Sequence, residues 1–224
     1  MARSADADRQ LSGPSMRPGH GGPASSLVVL LHGVGADGSD LIALAPVLGE
    51  VLPGAHFASP HAPFAFDMAP FGRQWFSLRD RGEAAMLDGV RIAAPLLDAF
   101  LDSELAKLGL DESRAALVGF SQGTMMSLHV APRRARPCAC VIGFSGHLVG
   151  ARLLAEEARS KPPVLLVHGE TDDVVPVAAM RHAQRHLQEA GFAVDAVTRP
   201  DLPHAIDEEG IVMAAQFLRD RLGD

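Results

Sequence analysis

The sequence predicts an α/β fold in which helices cover both faces of a mostly parallel central sheet. Apolar runs alternate with helix-like segments, and the first run is apolar at every position from Leu27 to Leu31. Such alternation is typical of parallel strands joined by helices, and a fully apolar strand is typical of burial on both faces. The predicted strands lie near residues 27–32, 55–59, 115–119, 138–143, 162–167 and 192–198.

The predicted domain spans residues 27–224 and is large enough for a complete core. The chain has 224 residues, of which 47% are hydrophobic, and this is typical of one large globular domain. Segment 90–108 has a helical period with one apolar face, which we expect to pack in the core. This face consists of Ile92, Leu96, Phe100, Leu101, Leu105 and Leu108.

Residues 1–26 differ in composition and predict a disordered N-terminal tail. They are rich in glycine, proline, serine, alanine and charge, with no apolar run of the length of a secretory signal. Cys138 and Cys140 lie two apart in a predicted strand, so their side chains point to opposite faces and cannot form an ordinary disulfide. Unpaired buried thiols without an export signal predict a cytoplasmic protein.

Composition also limits the partners that we expect. The formal net charge of −7 argues against nucleic-acid binding, and no run approaches the length of a membrane span. His182 and His186 have a spacing that can hold a metal on a helix, but no third ligand lies nearby. We therefore expect no metal, no cofactor, no stable membrane insertion, and a monomer or homodimer.

The motif Gly119-Phe120-Ser121-Gln122-Gly123 follows an apolar run and precedes a helix-compatible segment. In this context G-x-S-x-G predicts a nucleophile elbow, a sharp strand-to-helix turn that exposes the serine hydroxyl. Both glycines are needed because a side chain there would collide with the neighbouring strand or helix. The alternative interpretation is a turn whose serine only caps the helix. The choice depends on whether an acid and a base follow Ser121 in the chain.

An acid and a histidine do follow Ser121, in the order that this chemistry requires. An apolar run ends in the loop that carries Asp172 and Asp173, at the sheet edge where parallel α/β folds bind ligands. Either aspartate could orient a histidine, or could cap the helix that Pro176 begins. His204 follows the last predicted strand, and its position makes it the predicted general base.

The loop His32-Gly33-Val34-Gly35 follows the first predicted strand. It matches neither G-x-x-x-x-G-K-[ST] nor a full G-x-G-x-x-G, so phosphate binding is not indicated. An H-G-x-G loop in this place supplies one backbone N–H to an oxyanion hole, and the residue after the nucleophile supplies another. We therefore predict that the backbone N–H groups of Val34 and Gln122 stabilise an oxyanion.

Together these motifs resemble the phospholipase/carboxylesterase family of α/β-hydrolases, which includes bacterial carboxylesterases and acyl-protein thioesterases. The resemblance covers residues 27–222. The matching segments are Leu31-His32-Gly33-Val34-Gly35, Arg73-Gln74-Trp75-Phe76, Gly119-Phe120-Ser121-Gln122-Gly123, His168-Gly169 through Asp172 to Val174-Val175-Pro176, and Pro203-His204. In the family pattern the acid is the first aspartate of its loop, which implies Asp172 rather than Asp173.

The resemblance also implies where the substrate binds. In family members the Arg-x-Trp-Phe region helps to line the acyl groove, and here it lies in the loop-rich segment 61–87. The substrate-binding residues expected from this segment are Trp75, Phe76 and Phe71. Two positions depart from the family pattern: Pro203 stands where glycine usually precedes the histidine, and Thr124 stands where glycine or alanine often follows the elbow. Neither departure removes a catalytic group.

These expectations combine into a serine carboxylesterase that cleaves short- to medium-chain acyl or aryl esters through an acyl-enzyme. An alternative with the same residues is a thioesterase acting on acylated proteins, or a lysophospholipase, because ester and thioester hydrolysis use the same groups. A non-catalytic binding protein of this fold would lack a member of the triad, and Ser121, Asp172 and His204 are all present. The expected partner is a small-molecule ester or thioester.

Overall fold

A computed structural model describes residues 10–223, and its centre is a seven-stranded sheet. In chain order the strands of this sheet are β1 (Ser15–Met16), β2 (Ser26–Leu31), β3 (Ala55–Ala58), β6 (Ala115–Phe120), β7 (Cys140–Phe144), β8 (Val164–Gly169) and β9 (Val194–Arg199). The two strands between β3 and β6, which are β4 (Phe64–Ala65) and β5 (Arg73–Gln74), form a separate antiparallel pair. The spatial order of the seven-stranded sheet is β1-β3-β2-β6-β7-β8-β9, and β1 is antiparallel to its neighbour while the other pairs are parallel. The predicted mostly parallel sheet is confirmed.

Helices cover both faces of the sheet and form two cores. They are α1 (Gly38–Leu41), α2 (Ala45–Val51), α3 (Glu83–Leu108), α4 (Gln122–Arg133), α5 (Leu154–Glu157), α6 (Ala178–Glu189) and α7 (Glu208–Leu222). Helices α3, α4 and α6 pack on one face, and α1, α2 and α7 pack on the other. Leu27 and Val29 of β2 belong to the first core, and Val28 and Leu30 to the second. The strand is therefore buried on both faces, as its composition predicts.

The longest helix, α3, buries most of the predicted apolar face, with Ile92 as the exception. Its 26 residues end at Gly109, which adopts the left-handed conformation common at helix ends. The buried residues include Val90, Ala93, Leu97, Phe100, Leu101 and Leu105. Ile92 is 60% exposed, because it lies about 200° around the helix from Val90. In the described part of the chain, neither α3 nor any other helix is long and apolar enough to cross a membrane.

The predicted disordered tail over residues 1–26 is wrong for its second half. Residues 1–9 lie outside the part of the chain that the structure describes, but the segment from Ser12 to Ser25 forms several backbone hydrogen bonds with residues 53–61 around β3. Strand β1 pairs with β3 at the sheet edge, and just before it the carbonyl of Pro14 accepts a hydrogen bond from the N–H of Ser59 at 2.9 Å. A two-residue strand has too few positions to show a period, so composition alone suggested a tail.

The two cysteines lie on opposite sides of the sheet. Cys138 belongs to one core and Cys140 to the other, and both are free thiols. Burial raises the pKa of the Cys138 thiol to about 12 and also raises the pKa of Cys140. Both thiols therefore stay protonated near neutral pH, and neither has the thiolate character of a reactive cysteine.

Candidate active site

Ser121 occupies a strained turn between β6 and α4. Its φ is 54° and its ψ is −114°, a conformation that non-glycine residues adopt rarely and mostly at functional sites. The flanking glycines make the turn possible. A Cβ on Gly119 would lie 2.4 Å from the backbone nitrogen of Thr124, and a Cβ on Gly123 would lie 1.8 Å from the carbonyl oxygen of Leu31. This is the geometry of the predicted nucleophile elbow.

Thr124, a departure from the family pattern, connects the elbow to the next strand. Its hydroxyl lies 2.8 Å from the carbonyl oxygens of both Gly119 and Phe144. A Cβ on Gly146 would lie only 2.3 Å from the Cβ of Thr124. The larger residue after the elbow is therefore accommodated by a glycine on the neighbouring loop.

Asp172, and not Asp173, is hydrogen-bonded to His204. The Nδ1 atom of His204 lies 2.7 Å from Oδ2 of Asp172, whose Oδ1 accepts hydrogen bonds from the N–H groups of Val174 and Val175 at 3.0 and 2.8 Å. Asp173 is exposed to solvent. Burial acts to raise the pKa of Asp172, but the hydrogen bonds from His204 and Val175 outweigh burial and the pKa lies below its ordinary value. The carboxylate therefore stays ionised at neutral pH.

His168 is a second histidine beside Asp172, and the sequence analysis did not assign it a role. It is 1% exposed, and its Nε2 lies 2.7 Å from the carbonyl oxygen of Val175 and 3.2 Å from Oδ2 of Asp172. A ring N–H shared between these two oxygens limits the movement of the aspartate loop. The sequence signal that could have identified His168 is its position, because it is a polar side chain near the end of β8, whose other residues are apolar or glycine.

His204 is held close to Ser121. Its ring packs on Phe120, the residue before the serine, with the ring centroids 4.8 Å apart. The approach requires Gly169, since a Cβ there would lie 2.1 Å from the carbonyl oxygen of Leu202 in the histidine loop. Within residues 10–223 the Ser121 hydroxyl has no hydrogen-bond partner. Hydrogen bonds between nucleophile and base are often long before substrate binds and shorten in the complex.

The backbone N–H groups of Val34 and Gln122 are both available beside Ser121. Gln122 is the first residue of α4, so its N–H has no acceptor within the helix. The N–H of Val34 donates to no other backbone carbonyl in the described residues. A Cβ on Gly33 would lie 3.3 Å from the Cβ of Ser121, so the loop that carries Val34 lies directly against the elbow.

Residues 61–82, which we call the cover segment, are anchored to this site. Trp75 donates from Nε1 to the carbonyl of His32 at 3.0 Å. The side chain of Gln122 accepts a hydrogen bond from the N–H of Trp75 at 2.8 Å and donates one to the carbonyl of Phe76 at 2.7 Å. Gln122, the residue after the nucleophile, therefore holds the cover segment with its side chain. The backbone N–H of Gln122 takes no part in these contacts.

An apolar cavity of about 200 Å³ opens beside Ser121. Its lining includes Leu78, Met86, Met125, Val174 and Pro176. The substrate-binding residues expected from the resemblance lie elsewhere. Trp75 and Phe76 are 0% and 2% exposed, so they cannot contact a substrate, and Phe71 is 74% exposed but does not line this cavity. The Arg-x-Trp-Phe segment packs in the core of this chain, and other residues form the cavity wall.

The chain is similar to known proteins over most of its length. Residues 19–222 match the phospholipase/carboxylesterase family profile. Esterase YpfH of Escherichia coli (strain K12) is 32% identical over 207 residues, which cover 88% of this chain and 83% of that protein. Acyl-protein thioesterase 1 of Gibberella zeae is 24% identical, with coverage of 88% and 91%.

A solved structure is also similar over nearly the whole chain. The crystal structure of esterase PE8 has a TM-score of 0.91 at 42% identity, and the match covers 96% of this chain and 100% of that one. The family match, the named esterases and the fold all indicate the same enzyme class. The chain therefore belongs to the phospholipase/carboxylesterase family of α/β-hydrolases and is a carboxylic ester hydrolase.

Proposed function

We propose that the protein hydrolyses short- to medium-chain acyl esters through an acyl-enzyme on Ser121. The observation that carries the proposal is the 2.7 Å Asp172–His204 pair at the sheet edge that also presents Ser121 on a strained turn. His204 removes the hydroxyl proton as the serine attacks the ester carbonyl, and Asp172 orients the imidazole and balances its positive charge. The N–H groups of Val34 and Gln122 stabilise the resulting oxyanion.

The second half of the reaction uses the same groups. His204 gives the proton to the departing alcohol, and the acyl group stays on Ser121 as an ester. Water then attacks the acyl carbon while His204 takes its proton, and the acid leaves as the serine regains its hydrogen. The apolar cavity holds the acyl chain during both steps, and its volume of about 200 Å³ favours a short chain.

Turnover of p-nitrophenyl esters of graded chain length tests the proposal. We expect Ser121→Ala to lower kcat by about 10⁶-fold, as for other serine nucleophiles, and to abolish labelling by a fluorophosphonate probe. Ser127→Ala is the matched control, since this serine lies in α4, shortly after the elbow, and its hydroxyl donates to the carbonyl of Gly123. A wild-type protein that neither turns over these esters nor reacts with the probe would contradict the proposal.

Thioester hydrolysis is the second candidate function. A relative at 24% identity is named acyl-protein thioesterase 1, and the same nucleophile and base serve both reactions. The two functions are distinguished by comparing kcat/KM for an acyl-cysteine peptide with kcat/KM for an ester of the same acyl chain. Ester preference by a large factor supports the first function, and thioester preference by a large factor replaces it.

A further inference from the structure

A second cavity continues from the apolar cavity beside the nucleophile. It has a volume of about 320 Å³ and shares Arg81, Met86 and His147 with the first. Helix α6 lines both, because Ala179 borders the first cavity and His182 borders the second, and residues three apart lie on one helix face. The space available to a substrate therefore has an apolar compartment next to the serine and a second compartment beyond it that is also lined by charged side chains.

The second cavity carries an excess of positive charge. Its ionised side chains are Arg81, Arg152 and Glu83, so two guanidinium groups and one carboxylate line it. Neither arginine forms an ion pair with a residue in the described part of the chain, whereas the neighbouring Arg79 pairs with Asp67. The protein as a whole has a net charge of −7. This compartment therefore opposes the overall charge of the molecule.

Two histidines, His147 and His182, also line the second cavity without adding charge at neutral pH. Burial lowers the pKa of His147, whose Nε2 is buried and has no hydrogen-bond partner among the described residues. The pKa of His182 is also lowered, first by burial, then by His186 and the arginines around it, against the opposing effect of Glu83. The positive charge therefore comes from the two arginines, and the histidines are available as neutral hydrogen-bonding groups.

We propose that the second cavity binds a carboxylate at the far end of the acyl chain, so that the preferred substrates are esters of short dicarboxylic acids. The proposal rests on the proposed esterase function, because the acyl chain must begin at Ser121 to reach Arg81 and Arg152. A guanidinium binds a carboxylate through two parallel hydrogen bonds, a geometry that no neutral chain end supplies. The apolar compartment of about 200 Å³ accommodates the short hydrocarbon segment between the ester and the charge.

A matched pair of substrates tests the proposal. The measurement is the ratio of kcat/KM for p-nitrophenyl hydrogen glutarate to kcat/KM for its methyl ester, after subtraction of uncatalysed hydrolysis. We expect a ratio of about ten or more for the wild type, typical of a charge-assisted hydrogen bond. Arg152→Gln should bring the ratio close to one, and Arg152→Glu should invert the preference. Arg181→Gln should keep the wild-type ratio, because Arg181 is exposed on α6 and lines neither cavity.

Inhibition supplies an independent measurement. Glutarate should compete with p-nitrophenyl pentanoate in the wild type and compete less well in Arg152→Gln. The proposal is overturned if the wild type hydrolyses the methyl ester but shows no preference for the carboxylate, or if Arg152→Gln keeps that preference. Both outcomes leave the esterase function intact. Failure of the wild type to hydrolyse any of these esters would instead overturn the esterase function, and the carboxylate proposal with it.

Discussion

The catalytic edge of the sheet and the cover segment owe their geometry to different kinds of contact. The catalytic edge comprises residues 32–36, 119–123, 168–175 and 202–205, four short motifs whose glycines allow the backbones to approach closely and whose Asp172 side chain is held by N–H groups of its own loop. The cover segment, residues 61–82, contains one short strand pair and is held by side chains from distant parts of the chain. The first region can be identified from sequence motifs, while the role of the second depends on what it contacts.

The two regions meet where β5 joins the loop that carries Val34. The N–H of Gly35 donates to the carbonyl of Arg73 at 2.8 Å, and the N–H of Arg73 donates to the carbonyl of Ala36 at 2.9 Å. Gly72 has a φ of 82°, and a Cβ there would lie 2.1 Å from the carbonyl oxygen of Gly35. The cover segment therefore positions the proposed oxyanion loop, in addition to supplying Leu78 and Arg81 to the cavity wall.

The largest expected effect distinguishes the two aspartates of the catalytic edge. We expect Asp172→Asn to lower kcat by about 10⁴-fold, because an amide favours the wrong histidine tautomer and cannot balance the imidazolium charge. Asp173→Asn is the matched control and should change kcat by less than about twofold, since this exposed side chain resembles an ordinary surface position. Steady-state kinetics with p-nitrophenyl acetate provide the measurement. Equal losses in the two variants would contradict the assignment of the acid.

The next effect concerns stability at the elbow. Gly123→Ala places a Cβ 1.8 Å from the carbonyl oxygen of Leu31, a contact between two backbones that no rotamer can relieve. We expect a loss of about 4 kcal/mol or more in the free energy of unfolding, measured by urea denaturation. Gly19→Ala is the control, because no atom lies within 4 Å of its added methyl group. Wild-type stability in Gly123→Ala would show that the turn does not depend on glycine.

Removal of the anchor tests the cover segment directly. Gln122→Ala leaves the N–H of Trp75 and the carbonyl of Phe76 without their side-chain partner, which should cost about 2–3 kcal/mol of stability. The KM should rise more than kcat falls, because Leu78 of the cavity wall shifts while the backbone N–H of Gln122 is retained. Gln188→Ala, at an exposed helical position, should leave both quantities unchanged. A fall in kcat without a rise in KM would show that the Gln122 side chain does not act through the cover segment.

The smallest expected effect is a pH dependence at His32, which joins the two regions. Its Nδ1–H donates to the carbonyl of Gly33 at 2.7 Å, and its Nε2 accepts from the N–H of Ala62 in the cover segment at 2.9 Å. Burial lowers the pKa of His32 below its ordinary value. Protonation of His32 therefore favours the unfolded chain. The contribution of neutral His32 to the stability of the folded chain is complete above about pH 6.5 and is lost as the pH falls below that value.

Urea midpoints at about pH 7.5 and about pH 5 measure this dependence. Burial also lowers the pKa of His129 to about 3, which should cost about 2 kcal/mol at pH 5 independently of the cover segment. His32→Gln should therefore reduce the pH dependence without removing it. If the urea midpoint changes between the two pH values by the same amount in wild type and in His32→Gln, His32 does not link the two regions.

Several features could be predicted from the sequence because they depend on neighbouring residues. The strand runs follow from apolar composition, and the Ser121 turn follows from glycines that remove specific backbone clashes. Other features could not be predicted in this way. The burial of Trp75, the contact of His168 with Asp172, and the edge strand near residue 15 each depend on segments that fold together from distant positions.

By itself the sequence determined the sheet-and-helix alternation, the elbow at Ser121 and the chain order of its predicted partners, since apolar patterning and the G-x-S-x-G motif can both be recognised within a few neighbouring residues. Only the tertiary structure decided that His168 also contacts Asp172, why the Arg-x-Trp-Phe segment is buried, and that Arg81 and Arg152 line one cavity. The physical reason is that the burial and pairing of a polar side chain depend on the groups that folding brings to it.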